Sequence, residues 1–281
     1  MSWQIAIRHR TGYRYATPVQ ASHNEARLTP PTLDEHQRTL RSELAITPEV
    51  RPLRYIDYWG TTVDAFDIHV PHTELVVLAT SIVETNGPRP APVGVGWPDL
   101  AAPTVTGRFA ELLAASPYVS AEPEVAAVGR ALRAGSTPLQ AGRRAAEWTH
   151  ETLRYEQGTT HVRTSSAQAR AAGAGVCQDF AHVTLALLRA IGLPARYVSG
   201  YLHPTVNAEV GETVAGESHA WVEFWAGDWV PVDPTSMAEV GCRHVLLARG
   251  RDYADVRPLS GVYSGSAAEN FGVTVEVTRL S

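Results

Sequence analysis

The order of apolar and polar positions divides the chain into a strand-like first part and a helical middle. Trp3–His9 (WQIAIRH) and Thr39–Ile46 (TLRSELAI) alternate in part, as half-buried strands do. Tyr55–Trp59 and Val63–Val70 flank Gly60-Thr61-Thr62, which suits a hairpin turn. Glu74–Glu84 (ELVVLATSIVE) is the clearest strand, because Leu75, Val76, Val77, Ile82 and Val83 favour a pleated surface. Residues 1–86 therefore read as a β-sandwich-like packing domain. Gly87–Pro103 carries five prolines in 17 residues. Proline removes N–H donors and fixes φ, so a linker is expected there rather than a helix or a central strand. Arg108–Ala115, Pro123–Ala134 and Pro138–Arg154 then show helical spacing, the last two with proline where the first turn begins. Ser165 or Ser166 caps a short helix over Ala167–Ala172.

Gly173–Pro194 places a cysteine where a glycine-containing loop meets an apolar helix. Phe180, Ala181, Leu185, Leu188 and Ile191 recur at helical spacing, and Ala186 and Leu187 widen the stripe until little polar surface is left. Such a helix is expected to be buried, starting at Cys177 and stopping at Gly192, with Pro194 just beyond. Unpaired N–H groups and the macrodipole at a helix N-terminus favour negative charge, and so favour thiolate over thiol. Gly173 and Gly175 lack side chains and would let another chain come close to the sulfur. A lone free cysteine is more often a small buried apolar residue. Catalysis requires a partner.

Ala195–His203 (ARYVSGYLH) follows as a strand, Pro204–Glu217 as a polar loop, and Phe271–Leu280 as a final strand alternating at Val273, Val275 and Val277. The partner lies in Ser218–Thr235, SHAWVEFWAGDWVPVDPT. Its aromatic and β-branched runs surround Ala226-Gly227-Asp228, which reads as a hairpin. With a three-residue loop, Trp225 faces Trp229, and His219 and Asp233 become same-face diagonal neighbours about 7–8 Å apart at Cα. A two-residue loop would put them on opposite faces. The spacing allows a His–Asp pair without requiring one. A thiolate attacking an amide carbonyl needs a group that takes the thiol proton and later protonates the leaving amine. Histidine does both near neutral pH, and an acceptor on its other nitrogen fixes its orientation. A backbone N–H at the helix start can hold the oxyanion.

Composition narrows the class. The chain has 281 residues, 44% of them hydrophobic and 19% charged, with a net charge of −5. That is an ordinary globular protein with no feature calling for nucleic acid or an anionic membrane as partner. There is no apolar run of signal-peptide or membrane-spanning length, and two cysteines make no disulfide framework. A reduced, cytoplasmic enzyme is expected, of undetermined oligomeric state. Cys177, His182, His219, Cys242 and His244 are soft or borderline metal ligands, yet none falls in a C-x-x-C or H-x-x-x-H spacing. No metal or other cofactor is expected, and Cys242-Arg243-His244 reads as ordinary strand sequence.

GVCQDFAH at Gly175–His182, PARYVSGY at Pro194–Tyr201, SHAWVEFW at Ser218–Trp225, WVPVDPT at Trp229–Thr235 and GRDYADVRPLSGVYSG at Gly250–Gly265 follow one another in the order seen in a known family. At these residues the chain resembles the bacterial transglutaminase-like cysteine proteases, and its first 86 residues resemble the β-rich domain that often precedes their core. The resemblance implies an α+β fold with a papain-like core, helices packed on an antiparallel sheet, spanning 104–281 after the 87–103 linker. It implies a Cys–His–Asp triad of Cys177, His219 and Asp233 acting on peptide or protein amides without a cofactor. Tyr155 or Gln157 could supply a second oxyanion donor. Asp179 and His182 are expected to cap the helix or tether a loop. Ser218 and Trp221 are expected to shape the histidine strand and the cleft wall, and Asp252 to anchor a loop. Hydrolysis of the thioester gives a protease or amidase, and attack by an amine gives a crosslinking transglutaminase. A catalytically silent peptide-binding module is the alternative from another class.

Overall fold

The computed structural model describes residues 2–33, 36–88, 90, 92, 94–216, 218–265, 268–270 and 272–281. Arg89, Ala91 and Val93 of the expected linker, Glu217 of the expected loop and Phe271 of the expected last strand lie outside them. Six strands open the chain: β1 (Ser2–Val19), β2 (Ala21–Ala26), β3 (Gln37–Thr47), β4 (Leu53–Ile56), β5 (Thr62–Ile68) and β6 (His72–Asn86). Helices α1 (Trp97–Leu100), α2 (Pro103–Arg108), α3 (Ala110–Leu113), α4 (Pro123–Arg133) and α5 (Pro138–Thr152) follow. Then come β7 (Arg154–Tyr155), α6 (Ser166–Ala172), β8 (Ala174–Gly175), α7 (Cys177–Ile191), β9 (Ala195–Leu202), β10 (Thr213–Gly216), β11 (Ser218–Trp225), β12 (Trp229–Val232) and β13 (His244–Gly250). A 3-10 turn at Tyr253–Asp255 leads to β14 (Leu259–Ser264), β15 (Ala268–Asn270) and β16 (Thr274–Arg279).

The fold is α+β. One sheet has the order β10-β16-β1-β6-β3, with β15 also on β1; a second runs β14-β2-β5-β4; the third, β12-β11-β9-β13, carries the helices. The last two are antiparallel throughout, and β1 and β6 pair along almost their whole length. Helix α7 is the centre. Every residue from Asp179 to Ile191 except Ala190 is buried, because the apolar stripe wraps the whole helix and no face suits water. It ends as expected at Gly192, whose φ of +91° lets the Leu193 N–H reach back to the Leu188 carbonyl at 2.9 Å. A continuous apolar core links Trp3 and Ile5 through α7 to Val275 and Val277. Among the described residues no helix is long and apolar enough to cross a membrane.

Several elements differ from the sequence expectation. A single helical turn, α1, forms inside the proline-rich stretch, where Pro98 takes a first-turn position that needs no N–H. The helix expected at Arg108–Ala115 is broken at Phe109, whose ring packs against Trp225 and Trp229. The polar loop before Ser218 contains β10, which exists because β16 pairs with it. Cys242 lies in the loop before β13, not in a strand.

Candidate active site

Asp179 sets the start of α7. Its Oδ2 accepts the Val176 amide at 2.9 Å and the Thr160 hydroxyl at 2.6 Å, so one buried carboxylate caps the helix and ties down the 156–164 loop. Gly175 is small for this reason rather than to admit a ligand: a Cβ there would lie 2.5 Å from Asp179 Oδ2. Gly173, with φ of +64°, closes α6 in the left-handed conformation. The Cys177 thiol is thereby fixed at the first helical position, partly exposed, with Sγ 3.9 Å from the Ser218 carbonyl oxygen.

The β11–β12 hairpin has the three-residue loop, with Trp225 paired to Trp229. His219 and Asp233 consequently meet, Nε2 to Oδ2 at 2.9 Å, with 11% and 0% of their side chains exposed. The bond to Asp233 occupies Nε2, which leaves Nδ1 for Cys177, the other hydrogen-bonding neighbour of this ring. Burial alone would push the imidazole down. Hydrogen bonds to Asp233 and Cys177, and the negative charge on both, outweigh it and raise it from 6.5 to about 10. Burial would likewise raise the Asp233 carboxyl, but the bonds from His219 and Ser236, with the His244 ring close by, hold it well below the usual carboxylate range. Its Oδ1 also accepts the Thr235 amide at 3.0 Å, and its Oδ2 the Ser236 hydroxyl at 2.6 Å. The carboxylate is held from several sides.

Behind His219 the ring of Trp221 stacks at 6.2 Å between centroids, and Trp221 is 2% exposed. Room for it comes from Gly200, which faces His219 across the β9–β11 ladder. A Cβ on Gly200 would stand 2.6 Å from the Trp221 ring and 2.1 Å from the Val245 carbonyl oxygen. Gly200→Ala is therefore expected to cost about 3 kcal/mol by overpacking, lowering Tm by roughly 5 °C in a thermal melt. An unchanged melt would show that strands β9 and β13 part without strain.

Of the remaining sequence candidates, His182 is fully buried between Tyr118 and Tyr197 and accepts the Tyr253 amide at 3.2 Å on Nε2. Asp252 accepts the amides of Tyr118 and Ala254, anchoring the turn at 253–255. Both fasten loops. Tyr155 is exposed and is brought beside the cysteine loop by the parallel β7–β8 pair; Gln157 is exposed in the turn that follows.

One neighbour of the site was read from sequence as ordinary strand. His244 at the start of β13 puts Nε2 3.6 Å from Asp233 Oδ2, and its ring lies edge-on to Trp221 at 5.3 Å. Only the fold brings it there, since its sequence neighbours point to no such partner. Among the described residues, His219, Asp233 and His244 form the one group of three potential cation ligands, their ligand atoms within 4.8 Å.

The transglutaminase-like superfamily model matches residues 126–234, which include Cys177, His219 and Asp233, and the model of the bacterial transglutaminase-like N-terminal region matches residues 5–84. An uncharacterized protein of Mycobacterium leprae (strain TN) is 46% identical over 279 residues, covering 99% of this chain and 100% of its own. The protein-glutamine gamma-glutamyltransferase of Pseudomonas aeruginosa is 38% identical over 95 residues, which is 31% of this chain and 14% of that protein. The crystal structure of a candidate cysteine protease from Cytophaga hutchinsonii shares the fold, with a TM-score of 0.80 at 21% identity over 100% of this chain and 92% of the other. With both regions matched in order and a full-length relative alongside, the chain belongs to the transglutaminase-like superfamily, in the bacterial form that carries its own β-rich N-terminal region.

Proposed function

We propose that the chain is a cysteine-nucleophile amide hydrolase or acyltransferase acting on peptide or protein amides, its triad being Cys177, His219 and Asp233. The observation that carries this is the alignment of the three groups. The sulfur stands at a helix start beside an imidazole whose far nitrogen is bonded to a buried carboxylate at 2.9 Å. Cys177 as thiolate attacks the carbonyl carbon. The first-turn N–H of Cys177, which has no intrahelical acceptor, holds the oxyanion, with Tyr155 or Gln157 as the second donor. The His219 imidazolium gives its proton to the leaving amine as the thioester forms. Water then attacks the thioester, giving a proton back to His219 and releasing the acid and the thiolate. An amine in place of water gives an isopeptide instead, through the same acyl-enzyme.

Hydrolysis is favoured because water is abundant and, among the described residues, no acidic cluster that would collect amines marks the site. The similarity of 95 residues to a protein-glutamine gamma-glutamyltransferase favours the transfer reading as the second choice.

Cys177 is expected to react with iodoacetamide near neutral pH at least tenfold or so faster than Cys242, as a paired nucleophile does. Peptide mapping of the labelled protein measures this. Equal, slow alkylation of both would remove the nucleophile. Product identification after incubation with a peptide panel, with and without a primary amine, then separates cleavage from transfer.

A further inference from the structure

Asp233 Oδ2 is shared. His219 Nε2 lies 2.9 Å from it and His244 Nε2 3.6 Å, the two imidazoles approaching the same oxygen from strands β11 and β13. The His244 ring is 2% exposed at its side chain, and Nε2, just beyond hydrogen-bond distance of the carboxylate, has no hydrogen-bond partner of its own. Its other nitrogen settles what Nε2 carries. The Gly241 amide donates to His244 Nδ1 at 3.4 Å, so Nδ1 is an acceptor and the neutral ring must hold its proton on Nε2. That N–H points at the carboxylate and leaves no lone pair for a cation there. The three groups therefore make an electrostatic node, with the His244 N–H dipole facing the carboxylate, and not a metal site. Burial keeps the ring neutral by opposing the charged form.

Asp233 does not need His244 to hold its place, because the amides of Thr235 and Ser236 and the Ser236 hydroxyl already fix it. What His244 adds is a dipole that takes up part of the negative charge otherwise directed at His219. We infer that His244 is a positioning residue of the triad, one that acts through Asp233 and tempers how firmly the carboxylate holds the His219 proton. The inference rests on the proposed triad. Without the His244 N–H, Asp233 grips the imidazolium harder, and His219 becomes a poorer acid toward the leaving amine.

Other ionisable groups surround the node. Arg243 precedes His244 and disfavours its charging, and Cys177 faces His219 from α7. From α5, His150 Nδ1 contacts the Pro234 carbonyl, and Arg143 and Glu147 line a groove of about 320 Å³ that reaches Asp233. On the inner side His36, Glu223 and Arg249 line a cavity of about 60 Å³ with His244. The test must report on His219 itself, not on pH in general.

The test uses the full-length protein and two variants. His244→Gln keeps an N–H near the place of Nε2, and His244→Phe keeps the volume without a donor. Nitrogen-15 spectra of the histidine rings, recorded from pH 6 upward, read the protonation of His219 and the tautomer of His244 without needing turnover. In the wild type His244 should carry its proton on Nε2. In His244→Phe, His219 should stay protonated to higher pH by about half to one unit, whereas His244→Gln should hold it within roughly 0.2 of wild type. With a substrate in hand, kcat of His244→Phe should fall by about three- to tenfold with KM unchanged. A proton on Nδ1 of His244, or equal His219 titration in all three proteins, overturns the inference while leaving the triad standing. A wild type in which Cys177 neither labels nor turns over peptide would overturn the triad instead, with the ring titrations still deciding whether His244 acts on His219.

Discussion

Cys177→Ala should abolish turnover of a labelled peptide, by at least about 10⁴, while leaving thermal stability and peptide binding near wild type. The sulfur is partly exposed and packs at the margin of the core, so its loss opens no large cavity. His219→Ala should be nearly as severe, because the thiol loses its base and the leaving amine its acid. Asp233→Asn should cost up to about 10⁴, since the geometry is kept but an amide N–H facing Nε2 favours the wrong tautomer. Asp233→Ala is a less clean probe: the carboxylate also ties the amides of Thr235 and Ser236, so stability would fall with activity. Residues that act as one unit are not additive. Cys177→Ala combined with His219→Ala should be no worse than Cys177→Ala alone. Structural roles would give the reverse, with activity and melting temperature falling in step and the losses adding. Turnover and melts of these variants decide between the two patterns. If wild type binds peptides and never cleaves or transfers them, the silent binding module takes the place of the enzyme.

Lowering pH below about 6.5 should destabilise the protein steeply, through histidines buried as neutral rings. Burial drives His9 down from 6.5 to about 4 and His182 down to about 3, and His244 is lowered as well. These rings are neutral in the fold, whereas the unfolded chain protonates them near 6.5. Between about 6.5 and 3–4 the unfolded state binds more protons, so stability drops as pH falls. For His9 alone the shift corresponds to about 3 kcal/mol. His219 has the opposite sign: its folded value is raised, so its contribution is complete below 6.5 and is lost as pH rises toward about 10. It cannot compensate on the acid side. Glu223, held down to about 2 by Arg249 and Arg196 against the effect of burial, adds its loss at still lower pH. Chemical denaturation from pH 8 to pH 4 should show unfolding coupled to uptake of about two protons near pH 5. A flat profile over that range would mean these rings reach water in the folded protein.

How legible the sequence was depends on the range of the interactions. Helix α7 was visible because an all-round apolar helix with Gly192 and Pro194 behind it has few other interpretations. The His219–Asp233 pair was visible as one of two registers, and the three-residue loop at Ala226-Gly227-Asp228 chose between them. Strands β2, β10 and β14 were not visible. They are short and carry polar side chains, and each exists through a partner remote in sequence: β10 through β16, and β14 through β2. Local pattern does not encode such pairings. The role of Gly175 was misread for a related reason, since Asp179 reaches back over the loop to the space a Cβ would fill. His244 reads from sequence only as a weak metal-ligand candidate or a strand residue, because nothing in Cys242-Arg243-His244 points to a carboxylate on another strand.

Gln37 has a consequence for how the catalytic sheet could be separated from the rest. It is buried at the start of β3, where its side-chain amide donates to the Leu246 carbonyl at 2.9 Å and its oxygen accepts the Leu246 N–H at 2.8 Å. One residue thus imitates a rung of backbone on β13, the outer strand of the sheet that carries His219. A fragment cut to contain only the core would present that edge bare, along the apolar stretch Val245–Ala248, to any other copy in solution. Self-association would be the hazard of such a truncation, and the glutamine amide is a cap the N-terminal strands supply against it.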